Sequence, residues 1–187
     1  PLRPAAVNGI AKVGEYVITA STSYRGLQVY DVSTAAATKL VGEVVTEQSP
    51  TGLTVVGDRA YAPAAFEGVL IFDVSSPSTP VQIGRAGTPG IAEDVAEYAK
   101  NGRRYLFVAD YWWGVRLLDV TDAAGPKDLG VFDPTGVHAA HTWAVDVQGD
   151  LLAVADGVGG LALVDIADPQ QPVMLSYTQD DYDLYDV

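Results

Sequence analysis

His138 and His141 are the two histidines of the 187-residue chain, and only Ala139 and Ala140 separate them. Two imidazoles at that spacing can share a metal ion where their loop bends, provided a third ligand arrives from another part of the chain. Glu93 and Asp94, at the corresponding entry of the preceding repeat, are the carboxylates placed to supply it. Such a set would serve metal-assisted hydrolysis or oxidation at the mouth of a channel. Histidines that simply line a loop or channel are the plainer reading, and spacing alone favours it. No catalytic set is assigned and no cofactor is expected; a divalent metal belongs only to the alternative built on His138, His141, Glu93 and Asp94.

A different chemistry is offered by Tyr111-Trp112-Trp113, three large aromatics in succession in a turn, with Trp143 at the entry of the next repeat. Aromatic rings held in an exposed turn suit stacking on a carbohydrate or anchoring in a protein partner. Rings that cover the neighbouring unit are the structural alternative, since Tyr24 and Phe66 occupy related turns. The acidic run of Asp180, Asp181, Asp183 and Asp186 could attract calcium, but it lacks the glycine and the final glutamate of an EF-hand loop and reads as a solvated segment.

These residues must be positioned by a repeated unit. The phrase Gly-apolar-x-apolar-x-Asp-apolar occurs four times, beginning at Gly26, Gly68, Gly114 and Gly160, at steps of 42, 46 and 46 residues. That period fits a small sheet of four strands per unit. Within each unit a short strand, a glycine turn, a second strand, a glycine-rich turn, the signature strand, an Asp/Pro turn and a last strand follow in order. In the fourth unit the strands are expected at 143–147, 151–155, 161–166 and 173–177. The middle strands are apolar nearly without a break, as in Tyr105-Leu106-Phe107-Val108-Ala109, which suits burial on both faces. The last strand is mixed, as in Lys127-Asp128-Leu129-Gly130-Val131-Phe132, which suits an outer edge facing water.

Recurrence also separates structure from chemistry. Asp31, Asp73, Asp119 and Asp165 stand at one offset in all four units, so they are expected to accept backbone hydrogen bonds at a turn. Gly157-Val158-Gly159-Gly160 reads as a hairpin turn, because no lysine or helix follows it as a phosphate loop requires. The absence of cysteine removes disulfides, thiolate metal sites and thiol nucleophiles. With 11 basic and 24 acidic residues the net charge is −13, which repels nucleic acid and anionic membrane. No apolar run approaches the roughly 18 residues needed to span a bilayer, so membrane insertion is not expected.

The tails of two units, Asp73-Val74-Ser75-Ser76-Pro77 with Thr79-Pro80-Val81, and Asp165-Ile166-Ala167-Asp168-Pro169 with Gln171-Pro172-Val173, resemble the LVIVD-repeat proteins. The first unit lacks both prolines and the third keeps only Pro126. The resemblance implies a β-propeller, commonly of seven or eight blades, in bacterial or archaeal proteins that are often secreted or attached to the cell surface. It implies no catalytic motif.

The expected architecture is therefore all-β: a β-propeller built of four-stranded antiparallel blades, about four of them present, forming part of a larger propeller. The repeats fall at approximately 7–48, 49–90, 91–140 and 141–179, and 180–187 begin a fifth, all within one domain. A four-bladed ring and an arc completed by another chain are the other resolutions. The expected function is a non-catalytic binding or scaffold domain contacting protein or carbohydrate. The alternatives are the metal-assisted enzyme and an assembly module whose partner is the remaining propeller blades.

Overall fold

The computed structural model describes residues 6–22, 26–133, 141–157, 160–179 and 184–187. Four antiparallel sheets of four strands follow one another along the chain, each paired in sequence order. Blade 1 holds β1 (Val7–Val13), β2 (Tyr16–Ser21), β3 (Gly26–Asp31) and β4 (Lys39–Val44). Blade 2 holds β5 (Thr54–Val56), β6 (Arg59–Pro63), β7 (Val69–Asp73) and β8 (Val81–Ala86). Blade 3 holds β9 (Asp94–Lys100), β10 (Arg103–Ala109), β11 (Val115–Asp119) and β12 (Lys127–Phe132). Blade 4 holds β13 (Ala144–Gln148), β14 (Leu151–Ala155), β15 (Leu161–Asp165) and β16 (Val173–Thr178). The inner strands touch in series, β1 with β5, β5 with β9 and β9 with β13.

The first hairpins are tight because glycine or asparagine takes the left-handed backbone: Gly14, Gly57 and Gly149 have φ near 60°, and Asn101-Gly102 have φ of 52° and 74°. The unbroken apolar middle strands are explained by their place between blades. On β10, Leu106 and Val108 pack with Tyr61, Val69 and Ile71 of blade 2. Tyr105, Phe107 and Ala109 point the other way, onto Leu152, Val154, Ala162 and Val164 of blade 4. Leu106, Phe107 and Leu118 are buried, and each such side chain contributes about 1.5–3 kcal/mol. Outer strands β12 and β16 face water, as their composition predicts.

Close approach between blades also dictates glycine in the outer strands. A Cβ on Gly42 of β4 would collide with the Pro77 carbonyl of blade 2, and one on Gly84 of β8 with the Ala123 carbonyl of blade 3. The carbonyl comes in each case from the turn that follows the signature aspartate of the next blade.

Those aspartates do what their recurrence predicts. Oδ1 of Asp31, Asp73, Asp119 and Asp165 accepts the amide two residues on, from Ser33, Ser75, Thr121 and Ala167, at 2.8–2.9 Å. The Ser33 and Ser75 side chains and amides hold the Asp31 and Asp73 carboxyls below the usual carboxylate range. Burial would raise Asp119, but hydrogen bonds from Thr121 and the nearby Arg103 outweigh it and bring it down. The first unit, without prolines, forms a short 3-10 helix at Ala35–Ala37 after the same turn. Among the described residues no helix is long and apolar enough to cross a membrane.

Candidate functional site

In blades 2, 3 and 4 the turn between the second and third strands is spanned by a hydrogen bond from Ala64, Asp110 or Asp156 N–H to the carbonyl of Gly68, Gly114 or Gly160, at 2.8–2.9 Å. Its second residue takes the left-handed backbone: Ala65 at φ 51°, Tyr111 at 47°, Gly157 at 49°. That conformation turns the carbonyl toward the next blade. It accepts the Ala92, Thr142 and Leu184 amides at 3.0, 3.0 and 3.3 Å, forming single antiparallel bridges. Leu184 thus occupies the slot that Ala92 and Thr142 fill at the entries of blades 3 and 4.

Tyr111 is a bulky residue in a backbone region that costs side chains strain, and such positions concentrate at functional sites. Its ring lies at the centre of an aromatic cluster. His141 stacks on it at 4.3 Å with the planes 2° apart. Trp112 and Trp143 meet its ring edge-on at 4.6 and 4.9 Å. Tyr185 continues the cluster beyond Trp143 at 5.2 Å. Trp113 turns away, its ring edge lying against the Gly90 backbone in the linker that enters blade 3. Trp112 and Trp113 remain 52% and 53% exposed, Tyr185 59%, and Phe66, in the matching turn of blade 2, 70%.

Beside this cluster lies the channel. Asp94 Oδ2 accepts the Val145 amide at 3.0 Å and Thr54 Oγ1 donates to the Val95 carbonyl at 2.8 Å, stitching β5, β9 and β13 together. A cavity of about 270 Å3 opens between these strands and Val187, with Asp94, Glu97 and Asp146 on its walls. Burial raises the Asp94 carboxyl above its usual range; the Val145 and Val95 amides oppose this, and the negative charges of Asp186 and Asp146 add to it. Burial raises Glu93 as well.

The sequence-derived candidates therefore divide. Tyr111, Trp112 and Trp143 come together around His141, while Trp113 stands apart. His141 is engaged by stacking, and His138 lies outside the described residues. Among the described residues no group of three His, Asp or Glu side chains converges on a point that could hold a metal ion. Two channel residues escape sequence reasoning: Glu97, which is polar within the buried run of β9, and Asp146, which interrupts the apolar Ala144-Val145 start of β13. The out-of-phase acid in each strand is the signal that marks them.

Residues 51–88 and 139–179 match the model of the LVIVD repeat. These spans are blades 2 and 4, the two whose post-aspartate turns carry both prolines. No curated protein matches the chain in sequence. Among solved structures the chain is similar to the computationally designed Ika4 protein, with 13% identity and a TM-score of 0.64 over 88% of this chain and 94% of that one. It is also similar to the computationally designed Ika8 protein, with 15% identity and a TM-score of 0.67 over 94% of this chain and 50% of that one. The WD40 repeats of RRP9 align with 10% identity and a TM-score of 0.67 over 93% of this chain and 52% of theirs. The chain spans about half the length of the latter two structures. At such identities the likeness carries the fold alone. Four consecutive four-stranded blades and these neighbours together give the chain a β-propeller fold, two of whose blades match the LVIVD repeat.

Proposed function

We propose that this propeller is a non-catalytic binding or scaffold module whose contact surface is the aromatic end formed by the turns of blades 2 and 3 and the entry of blade 4. One observation carries the reading: Trp112, Trp113, Phe66 and Tyr185 keep half or more of their surface in water although buried neighbours lie close at hand. Exposed aromatics grouped at one end of a repeat array are a common basis for protein recognition, because they bring large area at low entropic cost. The family resemblance supports a secreted or surface-attached setting in a bacterium or archaeon. Carbohydrate stacking on Trp112 and Trp113 is the second reading, favoured by the same exposed rings.

Panning a displayed random-peptide library on the protein tests the first reading. Selected peptides are expected to bind wild type and to lose at least about tenfold in affinity on the Trp112→Ala/Trp113→Ala protein, the loss typical of an aromatic anchor. Peptides that bind both proteins equally would remove the contact surface. A titration with chito- and cello-oligosaccharides, followed by tryptophan fluorescence, decides the second: quenching in wild type that is absent from the double variant would favour carbohydrate.

A further inference from the structure

We propose that the ring cluster centred on Tyr111 is a site for a quaternary ammonium group, the trimethylammonium head of a methylated lysine or of a free small molecule. The inference rests on the aromatic end being the contact face, and it names the chemistry of what binds there.

Backbone strain is the first sign. At this position of the turn blades 2 and 4 carry small residues, Ala65 and Gly157, whereas blade 3 holds a tyrosine at φ 47°. A bulky side chain kept in that region is a mark of function, since a smaller residue would close the turn at less cost. Held this way, the Tyr111 ring becomes the hub of the cluster. His141 lies flat on it, and the indoles of Trp112 and Trp143 stand at 74° and 78° to its plane. Among the described residues no ring contact joins the two indoles, so each makes its own angle with Tyr111. Tyr185 adds a further angle of 62° against Trp143.

Ring orientation narrows the occupant. A flat group stacks best on one open platform, whereas rings near right angles meet in corners. A compact, rounded group seated in such a corner touches two rings at once. Ring faces carry the negative part of the aromatic quadrupole and attract a cation within about 6 Å. They supply few hydrogen-bond acceptors, so an N–H cation moving onto them gives up water that the rings do not replace. A trimethylammonium group has no N–H to satisfy and keeps its charge, which makes it the cation that loses least. Trp112 and Tyr185 are exposed while Tyr111, His141 and Trp143 are half-buried, so the cluster is open to solvent and its inner rings are already fixed by their neighbours. Little side-chain freedom is then lost on binding. The chain's −13 charge favours the approach of a cation at low ionic strength.

Fluorescence anisotropy with a labelled glycine-serine hexapeptide carrying one trimethyllysine tests this. The same peptide with its quaternary nitrogen replaced by carbon is the neutral counterpart of equal shape, and the unmethylated lysine peptide is the N–H counterpart. The trimethyllysine peptide is expected to bind at least about threefold tighter than either. Tyr111→Ala puts in this turn the residue that blade 2 carries at φ 51°, so folding is kept. It and Trp112→Ala should each weaken the trimethyllysine peptide by at least about threefold, while Trp113→Ala, whose ring turns away from the cluster, should not. Displacement of the bound peptide by millimolar choline upholds the site and opens it to free ligands; binding that choline does not displace upholds it for a protein side chain. Equal binding of the charged and neutral peptides, both lost in Trp112→Ala, would overturn the cation site and leave the aromatic face standing. Equal binding of the lysine and trimethyllysine peptides overturns the quaternary assignment. A preference for trimethyllysine that survives both Tyr111→Ala and Trp112→Ala, or no binding of any peptide at millimolar protein, overturns the proposal outright.

Discussion

Gly84→Ala probes the joint between blades 2 and 3 more directly than any hydrophobic truncation. The new Cβ would lie 2.7 Å from the carbonyl carbon of Ala123 and closer still to its oxygen, so backbone meets backbone and no side chain can swing aside. Gly84 does not sit in the left-handed region, which makes the effect steric and free of any conformational penalty for alanine. Relief requires the blades to separate where Ile83, Ala123, Leu118 and Tyr61 share one core. Overpacking of this kind costs about 1–3 kcal/mol. For a chain of this size each kcal/mol shifts Tm by about 2–4 °C, so a fall of roughly 2–12 °C is expected in thermal unfolding followed by far-UV circular dichroism. Gly87→Ala is the matched control, since a Cβ there meets nothing within 4 Å; it should leave Tm unchanged or raise it slightly by restricting the unfolded chain. Equal melting of the two variants, or a Gly84→Ala protein as stable as wild type, would refute the view that carbonyl-to-glycine contacts set the spacing of the blades.

Two further outcomes follow from the electrostatics. Asp73→Asn keeps the oxygen that caps the turn but removes its charge; because the native carboxyl is held below its unfolded value, its contribution is present above the unfolded pKa near 4 and is lost as pH falls through the folded one. The stability gap between wild type and variant should thus be open at pH 6 and close in strong acid, measured by urea unfolding at each pH, and a gap independent of pH would contradict the assignment. Arg116, buried on β11, donates from Nε to Asp110 at 3.1 Å and from Nη1 to Asp128 at 2.7 Å. Arg116→Met strands the buried Asp110 carboxylate without its cation, leaving it the Gly90 amide and the Thr88 side chain, and the expected loss is about 3–5 kcal/mol by chemical denaturation, with partial recovery in Arg116→Met/Asp110→Ala.

The fold was legible because its signals repeat. A glycine at one hairpin, an aspartate at one turn and an unbroken apolar strand between them recur four times, and each reports a local requirement: a left-handed φ, an amide without a partner, or burial on two faces. The strands of the fourth repeat lie within a residue or so of where spacing puts them. The candidate site was less legible for the opposite reason. Stacking of His141 on Tyr111 depends on a bridge between blades, and the joining of Asp94, Glu97 and Asp146 around one cavity depends on how three inner strands converge. Neither relation has a period along the chain. Gly42 and Gly84 look like ordinary weak points of outer strands until the approaching carbonyls are seen.

The single bridge from each left-handed turn residue to the next blade works as an indexing pin. Its partners are 27, 31 and 27 residues apart in the three junctions, yet β9 and β13 each begin two residues after the same hydrogen bond. Length can therefore drift in the stretch before the pin without disturbing what comes after, since the pin restores the phase at Ala92, Thr142 and Leu184. This gives the chain a modular grammar in which linkers are free to diversify, carrying histidines or aromatics as they go, while the walls of the channel keep their alignment.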